Sequence, residues 1–402
     1  MRISTWALIC WVCISAVAYN YVGYPLLLFV FSAFSQAKSD LLFLFRKKAR
    51  RCSRSAQYIP HVAVLMSVYN EERVIDAKVE NCLELNYPHG RIEFLIGLDA
   101  PTDSTPQLMD RFQSSRLRAI QFPERQGKLN VLCALARQTT AEILVITDAN
   151  TTLDCNCIQN LVRHFADPRV GAVSGEETRI VAPGTDPAAE SLYWRYESAL
   201  KFLENRLNCF LAANGSVLAV RRMLFRPIQS SIVEDLQIPL EIRFQGHRVV
   251  YDPEAVATEE IAPTASAQFA RRVRLGTGDF QTLFGNLACL HPRNGLLAFC
   301  YFSHRVLRWL APLLLFVAFF SSVLMVRRSA FAALVAAQCV FYFAALLGYW
   351  RKKQGKPARV FAMPFHFCLM NLALFLGLLK YLGGRQSLIW KSTPRSITPD
   401  VG

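Results

Sequence analysis

The chain has 402 residues, of which 52% are hydrophobic, and it carries a formal net charge of +15. This composition is too apolar for an ordinary soluble enzyme and points to membrane-spanning segments. Apolar residues and positive charges are both concentrated locally, and a stretch of about 230 residues with soluble character between the apolar runs suffices for one large α/β domain.

The first apolar run, Trp6–Phe34, is almost uncharged and is long enough to cross a bilayer. A cleavable signal peptide is the alternative interpretation, because Arg2, an apolar core and the small residues up to Ala18 resemble one. The run continues well past Ala18 and ends at a basic block, which favours an uncleaved anchor. Three further apolar runs come late in the chain, at about residues 307–326, 331–350 and 361–379.

Two basic clusters adjoin these runs, one after the first run and one between the last two. Because basic loops remain in the cytoplasm, the clusters predict a multi-pass protein of the inner (plasma) membrane with a cytoplasmic soluble domain. Nucleic-acid binding is the competing interpretation, but the clusters lack interleaved aromatic residues, so we expect no nucleic-acid partner. The clusters consist of Arg46, Lys47, Lys48, Arg50, Arg51 and Arg54, and of Arg351, Lys352, Lys353, Lys356 and Arg359.

Counting the spans leaves the side of the carboxyl terminus open. One span before the domain and three after it place the tail around Trp390 outside, yet the basic residues of that tail favour the inside. Either the last apolar segment is re-entrant, or Leu287–Tyr301 also inserts, or the charge rule is overridden. We divide the chain into an anchor with a basic linker (residues 1–56), a cytoplasmic domain (57–285), and an interfacial segment with about three spans and the tail (286–402).

The soluble domain alternates short apolar, β-branched runs with helical segments. This alternation predicts an α/β domain with a doubly wound, mostly parallel sheet. Helices are predicted after Asn70 as N-cap, from about Pro106, and over Leu129–Gln138. The predicted strands of the first half are Val62–Val68, Ile92–Leu98, Leu117–Phe122 and Ile143–Ile146.

Polar residues follow three of these strands. The carboxyl ends of parallel strands meet at one edge of a sheet, where nucleotides bind, so Asn70 with Glu71, Asp99 and Asp148 are expected at that edge. Asp148 lies two residues before Asn150, and together their oxygens could hold a hard divalent cation that in turn binds a diphosphate. A strand followed by Asp148 as a helix N-cap is the alternative interpretation of this stretch.

The phosphate-binding glycine motifs are missing from the sequence, which contains neither GxGxxG nor GxxxxGK[ST]. The charge of a diphosphate must then be offset by a metal on Asp148 and by the ammonium group of Lys128. A solvated lysine at a helix start is the alternative for Lys128.

The second half of the domain is less regular. A strand is predicted at Val170–Ser174, a helix at Pro187–Leu207 and a strand at Val217–Val220. Glu234 and Asp235 open another helix, where carboxylates either favour the helix dipole or supply a general base beside a metal. The basic helix at 266–280 precedes the late apolar runs, and an interfacial amphipathic helix is its alternative interpretation.

These signals, in this order, resemble the membrane-embedded inverting glycosyltransferases of family 2, which include cellulose, hyaluronan and poly-N-acetylglucosamine synthases. The resemblance extends over nearly the whole chain and includes YVGYPLLL at 21–28 and Trp390–Arg395. It implies a GT-A fold, a nucleotide-diphospho-sugar donor and a Mg²⁺ or Mn²⁺ cofactor.

The resemblance also implies roles for individual residues. Asp235 matches the catalytic base, and we group the adjacent Glu234 with it. Asp148 matches the first acid of the DxD metal motif, and Asn150 stands at the position of its second acid. The donor-binding positions that match are Tyr69, Asn70, Glu71 and Asp99 for the nucleobase and ribose, Lys128 near the nucleotide, and Gln268 and Arg271, with Arg272 beside them, at the start of QxxRW.

Two departures bear on substrate. Asn150 is a neutral oxygen ligand where the motif has an acid, so metal binding is expected to be weaker or shared with the diphosphate. Arg272 replaces the tryptophan of QxxRW, whose ring faces the acceptor sugar in the family. This second change bears on processivity and on a neutral polysaccharide acceptor.

The expected function is therefore transfer of a sugar, with a UDP-sugar as the expected donor, to a growing polysaccharide, with membrane lipids and accessory export subunits as further partners. Transfer of one sugar to a lipid-linked acceptor is the first alternative, and Arg272 favours it slightly. An inactive membrane scaffold with the same fold is the second alternative, supported only by Asn150 in the metal motif.

Overall fold

The computed structural model describes residues 4–46, 58–112, 114–180, 187–227, 233–260, 265–356 and 358–384. The chain forms two compact units. The sheet unit comprises the described residues within 34–182 and 204–267, and the helical unit those within 1–33, 183–203 and 268–386.

The sheet unit contains one eight-stranded sheet in the order β3-β2-β1-β4-β7-β6-β8-β5. The block β3-β2-β1-β4 is parallel throughout, whereas β7 runs antiparallel to both of its neighbours and β5 antiparallel to β8. The strands are β1 Val62–Val68, β2 Ile92–Asp99, β3 Leu117–Phe122, β4 Ile143–Thr147, β5 Thr151–Leu153, β6 Val170–Ile180, β7 Leu218–Arg221 and β8 Arg248–Glu260. The α/β sheet predicted from the sequence is confirmed, but β5 and β8 were not predicted.

Helices cover both faces of the sheet, which explains why β1 and β4 read as continuous apolar runs and are buried at every position. Alternate side chains of β1 enter opposite cores: Val64 packs with the helices on one face, and Leu65 with those on the other. The helices of the sheet unit are α3 Ile75–Leu83, α4 Thr105–Asp110, α5 Lys128–Ala136, α6 Cys157–Val162 and α8 Glu234–Phe244.

The predicted N-cap at Asn70 is wrong. The helix α3 begins at Ile75, five residues later, and Asn70 adopts a left-handed conformation with φ 54°. Its side chain instead bonds Thr102 twice, accepting from the backbone N–H at 2.8 Å and donating to Oγ1 at 3.0 Å. Asparagine tolerates positive φ and bonds neighbouring backbone, so the residue ties two loops together at the sheet edge.

Two irregular turns in the helical unit pair with each other. Helix α1, Thr5–Ala18, continues through a π-helical turn at Tyr19–Gly23 into α2, Tyr24–Arg46, and a second π-helical turn at 301–306 joins α10 to α11. Tyr19 bonds the Ser303 hydroxyl at 2.9 Å, and Asn20 donates to the Ser303 carbonyl. The remaining helices are α7 Pro187–Arg206, α9 Ala265–Gly285, α10 Leu296–Cys300, α11 Leu307–Leu324, α12 Ser329–Lys353 and α13 Ala362–Leu382.

Four helices in the described ranges are long and apolar enough to cross a membrane: Thr5–Phe45, Leu296–Leu324, Ser329–Lys353 and Ala362–Leu382. Of the predicted extra segment at 287–301, the first part forms short 3-10 turns and the rest begins the second of these helices. The tail around Trp390, for which the charge rule and the span count disagree, lies outside the described residues.

Candidate active site

The parallel register of β1, β2 and β4 carries three predicted site segments to one edge of the sheet. Met66 pairs with Ile96 and with Thr147, so the residues at the carboxyl ends of the three strands lie near one another. Those residues are Tyr69–Glu71, Asp99 and Asp148. This is the edge at which open α/β sheets bind ligands.

Lys128 is the centre of the site. Its ammonium nitrogen lies 2.6 Å from Asp148 Oδ1 and also forms an ion pair with Glu234 Oε1. Burial alone would lower the pKa of Lys128, but the charges of Asp148 and Glu234 outweigh it and raise that pKa above its ordinary value. The structure thus brings together three residues that the sequence placed in the site, as a cation between two carboxylates.

Backbone geometry places Lys128 where it can reach both acids. Gly127, at φ 86°, immediately precedes α5, and Lys128 is the first residue of that helix. The helix packs closely on β2, because a side-chain carbon added at Gly97 would collide with Val131. Glycine at both positions therefore sets the approach of Lys128 to the sheet edge.

Asp235 follows Glu234 in the first turn of α8, as predicted. The turn at 214–216 lies directly against this pair. A Cβ atom added at Gly215 would be 3.2 Å from Glu234 Oε1 and 3.3 Å from the Asp235 Cβ. Asp235 is partly exposed, so solvent reaches its side chain.

Asp99 is fully buried and holds the loop that leads to Lys128. Its carboxylate accepts from the backbone N–H of Gln126 at 2.6 Å and of Gly127 at 3.1 Å, and from Arg125 Nε at 3.2 Å. The Arg125 guanidinium carbon stacks 3.3 Å from the centre of the Tyr69 ring. Sequence reasoning missed Arg125, because nothing in a loop arginine signals an aromatic partner 56 positions earlier.

The loops after β1 and β2 are joined by several bonds besides those of Asn70. The Glu71 N–H donates to Thr105 Oγ1 at 3.0 Å, and the Glu72 N–H donates to Asp103 Oδ2 at 3.2 Å. The Glu71 side chain is buried beneath this junction. Tyr69, Asn70 and Glu71 therefore sit on a braced edge, which is what a nucleotide pocket needs in order to be preformed.

Lys78 was also missed. It is buried on α3, and its ammonium group donates to Thr147 Oγ1 at 3.1 Å and to the Thr151 carbonyl at 2.5 Å. Burial lowers the pKa of Lys78 below its ordinary value. These two bonds secure both ends of the turn that carries Asp148 and Asn150.

The Asn150 side chain acts as a hydrogen-bond donor, which an ionised acid at this position could not do. Its Nδ2 group donates to Glu259 Oε1 at 3.0 Å, and Glu259 is 3% exposed. Within the described ranges no group of three or more His, Cys, Asp or Glu side chains could hold a metal. Asp148 and Asn150 nevertheless fit Mg²⁺ or Mn²⁺, since such ions bind in proteins through one or two side-chain oxygens completed by phosphate and water.

Gln268, Arg271 and Arg272 lie on α9 and belong to the helical unit, whereas the contacts described above all fall within the sheet unit. The three side chains are partly exposed.

The chain is similar to several known glycosyltransferases. Residues 63–224 match the model of glycosyl transferase family 2. A poly-beta-1,6-N-acetyl-D-glucosamine synthase of Staphylococcus aureus is 22% identical over 232 residues, which are 55% of this chain and 55% of that protein. A beta-monoglucosyldiacylglycerol synthase of Synechocystis is 24% identical over 269 residues, which are 63% of this chain and 55% of that protein.

The chain spans about half the length of these curated relatives. Among solved structures, a mannosyltransferase from Pyrobaculum calidifontis in complex with GDP-Man and Mn²⁺ superposes with a TM-score of 0.70 at 23% identity, covering 94% of this chain and all of that one. This likeness confirms the predicted fold. The family domain and the synthases among the relatives support glycosyltransferase activity.

Proposed function

We propose that this chain transfers a sugar from a nucleotide-diphospho-sugar to a glycan acceptor with inversion at the anomeric carbon, since residues 63–224 match the model of glycosyl transferase family 2. One observation carries the proposal. Lys128 joins Asp148 to Glu234 at the nucleotide-binding edge, with Asp235 next in the chain.

Each residue has a chemical task in this reaction. Asp148 and Asn150 would hold Mg²⁺ or Mn²⁺, which would help to neutralise the charge of the leaving diphosphate. Lys128 exchanges its carboxylate contacts for the diphosphate oxygens. Tyr69, Asn70, Glu71 and Asp99 hold the nucleoside.

Asp235 acts as the general base. It takes the proton of an acceptor hydroxyl while that oxygen forms a bond to the anomeric carbon. The bond between this carbon and the phosphate oxygen breaks on the opposite face, and its electron pair leaves with the nucleoside diphosphate. Base catalysis of this kind contributes about 10²–10⁴-fold to a rate.

For the acceptor we propose a growing polysaccharide, with a UDP-sugar as donor, by analogy with the poly-N-acetylglucosamine synthase relative. A single transfer to a lipid acceptor is the second candidate, favoured by Arg272 in place of tryptophan and by the glucosyldiacylglycerol synthase relative. The basic clusters support a cytoplasmic catalytic domain at the plasma membrane, and accessory export subunits belong to the polysaccharide hypothesis.

The test is transfer in membranes that contain this chain as the sole added protein. Radiolabelled UDP-glucose, UDP-N-acetylglucosamine and GDP-mannose are offered with Mn²⁺, and the products are extracted and sized. Asp148→Ala should abolish transfer, while Asp110→Ala, at an exposed acid of α4, should not.

Each product identifies one hypothesis. A long polymer that requires Asp148 supports polysaccharide synthesis, and a lipid-extractable product with one added sugar supports the second candidate. Absence of both transfer and donor hydrolysis with all three donors would contradict the enzyme proposal and favour a scaffold.

A further inference from the structure

The sequence places an amide where the metal motif of the family has its second acid, and the structure gives the reason. Asn150 immediately precedes β5, and β5 pairs antiparallel with β8 so that Thr151 lies opposite Glu259. The Asn150 amide group donates to the buried Glu259 carboxylate at 3.0 Å. A carboxylate at position 150 would meet a second carboxylate there instead of donating to it.

Glu259 also lies near an arginine and a second acid. Its other oxygen, Oε2, is 3.8 Å from Arg179 Nη2, and Arg179 stands opposite Glu259 in the β6–β8 register. Arg179 is committed mainly to Glu177, which accepts from Arg179 Nε at 3.0 Å and from Nη2 at 2.8 Å. The Arg179 guanidinium thus contacts both carboxylates, and the amide N–H of Asn150 donates to Glu259 as well.

The bond to Glu259 fixes the direction of the whole Asn150 amide. The amide is planar, so anchoring its nitrogen also sets the direction of its oxygen, which is a hard metal ligand. A buried anion behind the nitrogen also polarises the amide and makes its oxygen a stronger ligand, as carboxylates do behind metal-binding imidazoles.

We propose that Glu259 is the positioning residue of the divalent-cation site, and that Asn150 and Glu259 together replace the second acid of the metal motif. Asn150 supplies the oxygen, and Glu259 supplies the negative charge and the orientation. This inference rests on the proposed function, because it presumes that Asp148 and Asn150 hold the cation used with a nucleotide-diphospho-sugar.

The experiment measures Mn²⁺ binding to the purified full-length chain by electron paramagnetic resonance, in the presence of UDP and separately of GDP. Loss of an outer-shell partner typically weakens metal affinity about 10- to 100-fold, so we expect a loss in this range for Glu259→Ala and a smaller one for Glu259→Gln. Glutamine can still accept from Asn150 but has lost the charge.

A double variant separates positioning from simple loss of structure. In N150D/E259Q the carboxylate stands at position 150 and accepts from the glutamine amide, so the pair is restored with its parts exchanged. We expect Mn²⁺ affinity in this variant to return to the wild-type level or to exceed it. Failure of the double variant to bind more tightly than Glu259→Gln would overturn the inference.

Glu177→Gln is the matched control. It removes the carboxylate charge of another partner of Arg179 and leaves the bond between Asn150 and Glu259 in place. An equal loss of affinity in Glu177→Gln and Glu259→Gln would overturn the positioning role in favour of a general charge effect. Thermal unfolding of each variant identifies any loss caused by unfolding.

Asp148→Ala separates the two levels of the argument. If wild type binds Mn²⁺ and Asp148→Ala does not, but both Glu259 variants bind like wild type, this inference alone fails. If wild type and Asp148→Ala bind equally weakly with both nucleotides, the metal site of the proposed function fails with it.

Discussion

Each compact unit contains a cluster of charged side chains, and the two clusters differ in the residue at their centre. In the sheet unit the base Lys128 joins two acids, Asp148 and Glu234, whereas in the helical unit the acid Glu197 joins Arg308 and His304. The first three side chains are 16–28% exposed, and the second three are 1–9% exposed.

This difference in exposure separates two uses of charge. The side chains of the cluster around Lys128 are partly open to solvent, so a ligand can take over its ion pairs. The cluster around Glu197 is buried and closed to solvent. Helix α7 supplies the acid, and the apolar helix Leu296–Leu324 supplies both Arg308 and His304. This cluster is suited to joining helices, since breaking a buried ion pair leaves an uncompensated charge.

The largest expected effect lies at the two neighbouring acids of the open cluster. Asp235→Asn should lower kcat about 10²–10⁴-fold and leave the donor KM nearly unchanged, because it removes the general base. Glu234→Gln removes a partner of Lys128 and should mainly change the donor KM. Steady-state kinetics of both variants check this split, and equal losses of kcat would contradict the assignment of the base to Asp235.

In the closed cluster, Glu197→Ala should reduce the free energy of unfolding by about 3–5 kcal/mol, because Arg308 is left buried without its carboxylate. Activity per folded molecule should not change. The measurement is thermal unfolding in detergent, with Arg195→Ala, at an exposed residue of the same helix, as control. A loss of activity without a loss of stability would place Glu197 in the functional site. The clusters around Lys128 and Glu197 would then no longer differ in role.

The stability contribution of Glu197 should also depend on pH. Burial opposes its ionisation, but the charge of Arg308 and the hydrogen bond from His304 hold the pKa of Glu197 well below the ordinary value of 4.5. A group with a lowered folded-state pKa stabilises the fold above its unfolded-state pKa, and this stability is lost as the pH falls further. The difference in melting temperature between wild type and Glu197→Gln should therefore shrink below about pH 4.5, and a constant difference would contradict the assignment.

Features that depend on a local sequence pattern could be predicted, and features that depend on distant pairings could not. The parallel half of the sheet and the acids at its edge were predictable, because each strand is a continuous buried run that ends at a polar residue. Asp99 and Asp148 each carry a local signal of this kind. The four apolar helices were predictable for a different reason, because each is a long apolar run with few charges.

The other half of the sheet and several contacts of the site depend on pairings between residues far apart in sequence. Strand β8 was missed because its 13 residues include a proline and four acids, and pairing with β6 over ten positions overrides these local preferences. Glu259 and Arg125 were missed because their partners, Asn150 and Tyr69, lie 109 and 56 positions earlier. Asn70 was misassigned because a residue that caps helices also favours left-handed turns.

Lys128→Met should weaken binding of UDP or GDP about ten- to hundredfold, because a charge-assisted hydrogen bond contributes about 1.5–3 kcal/mol. The free energy of unfolding should change less. The two acids then face each other without Lys128, but they lie where solvent can hydrate them. Isothermal titration with each nucleotide measures the loss, and Lys128→Arg, which keeps the charge, is the control. Unchanged nucleotide affinity in Lys128→Met would show that the open cluster is as structural as the closed one.

The smallest expected effect concerns the stack of Arg125 on Tyr69. Arg125 also donates to the buried Asp99, which holds the loop that leads to Lys128. Arg125→Lys keeps the positive charge near Asp99 and loses the planar stack, worth about 0.5–1 kcal/mol. Nucleotide affinity should fall about two- to fivefold, and Tyr69→Leu should add little to that loss, because both changes remove the same contact. If the two losses are additive, the residues act independently on the nucleotide; if only the melting temperature falls, the stack belongs with Glu197 among the structural contacts.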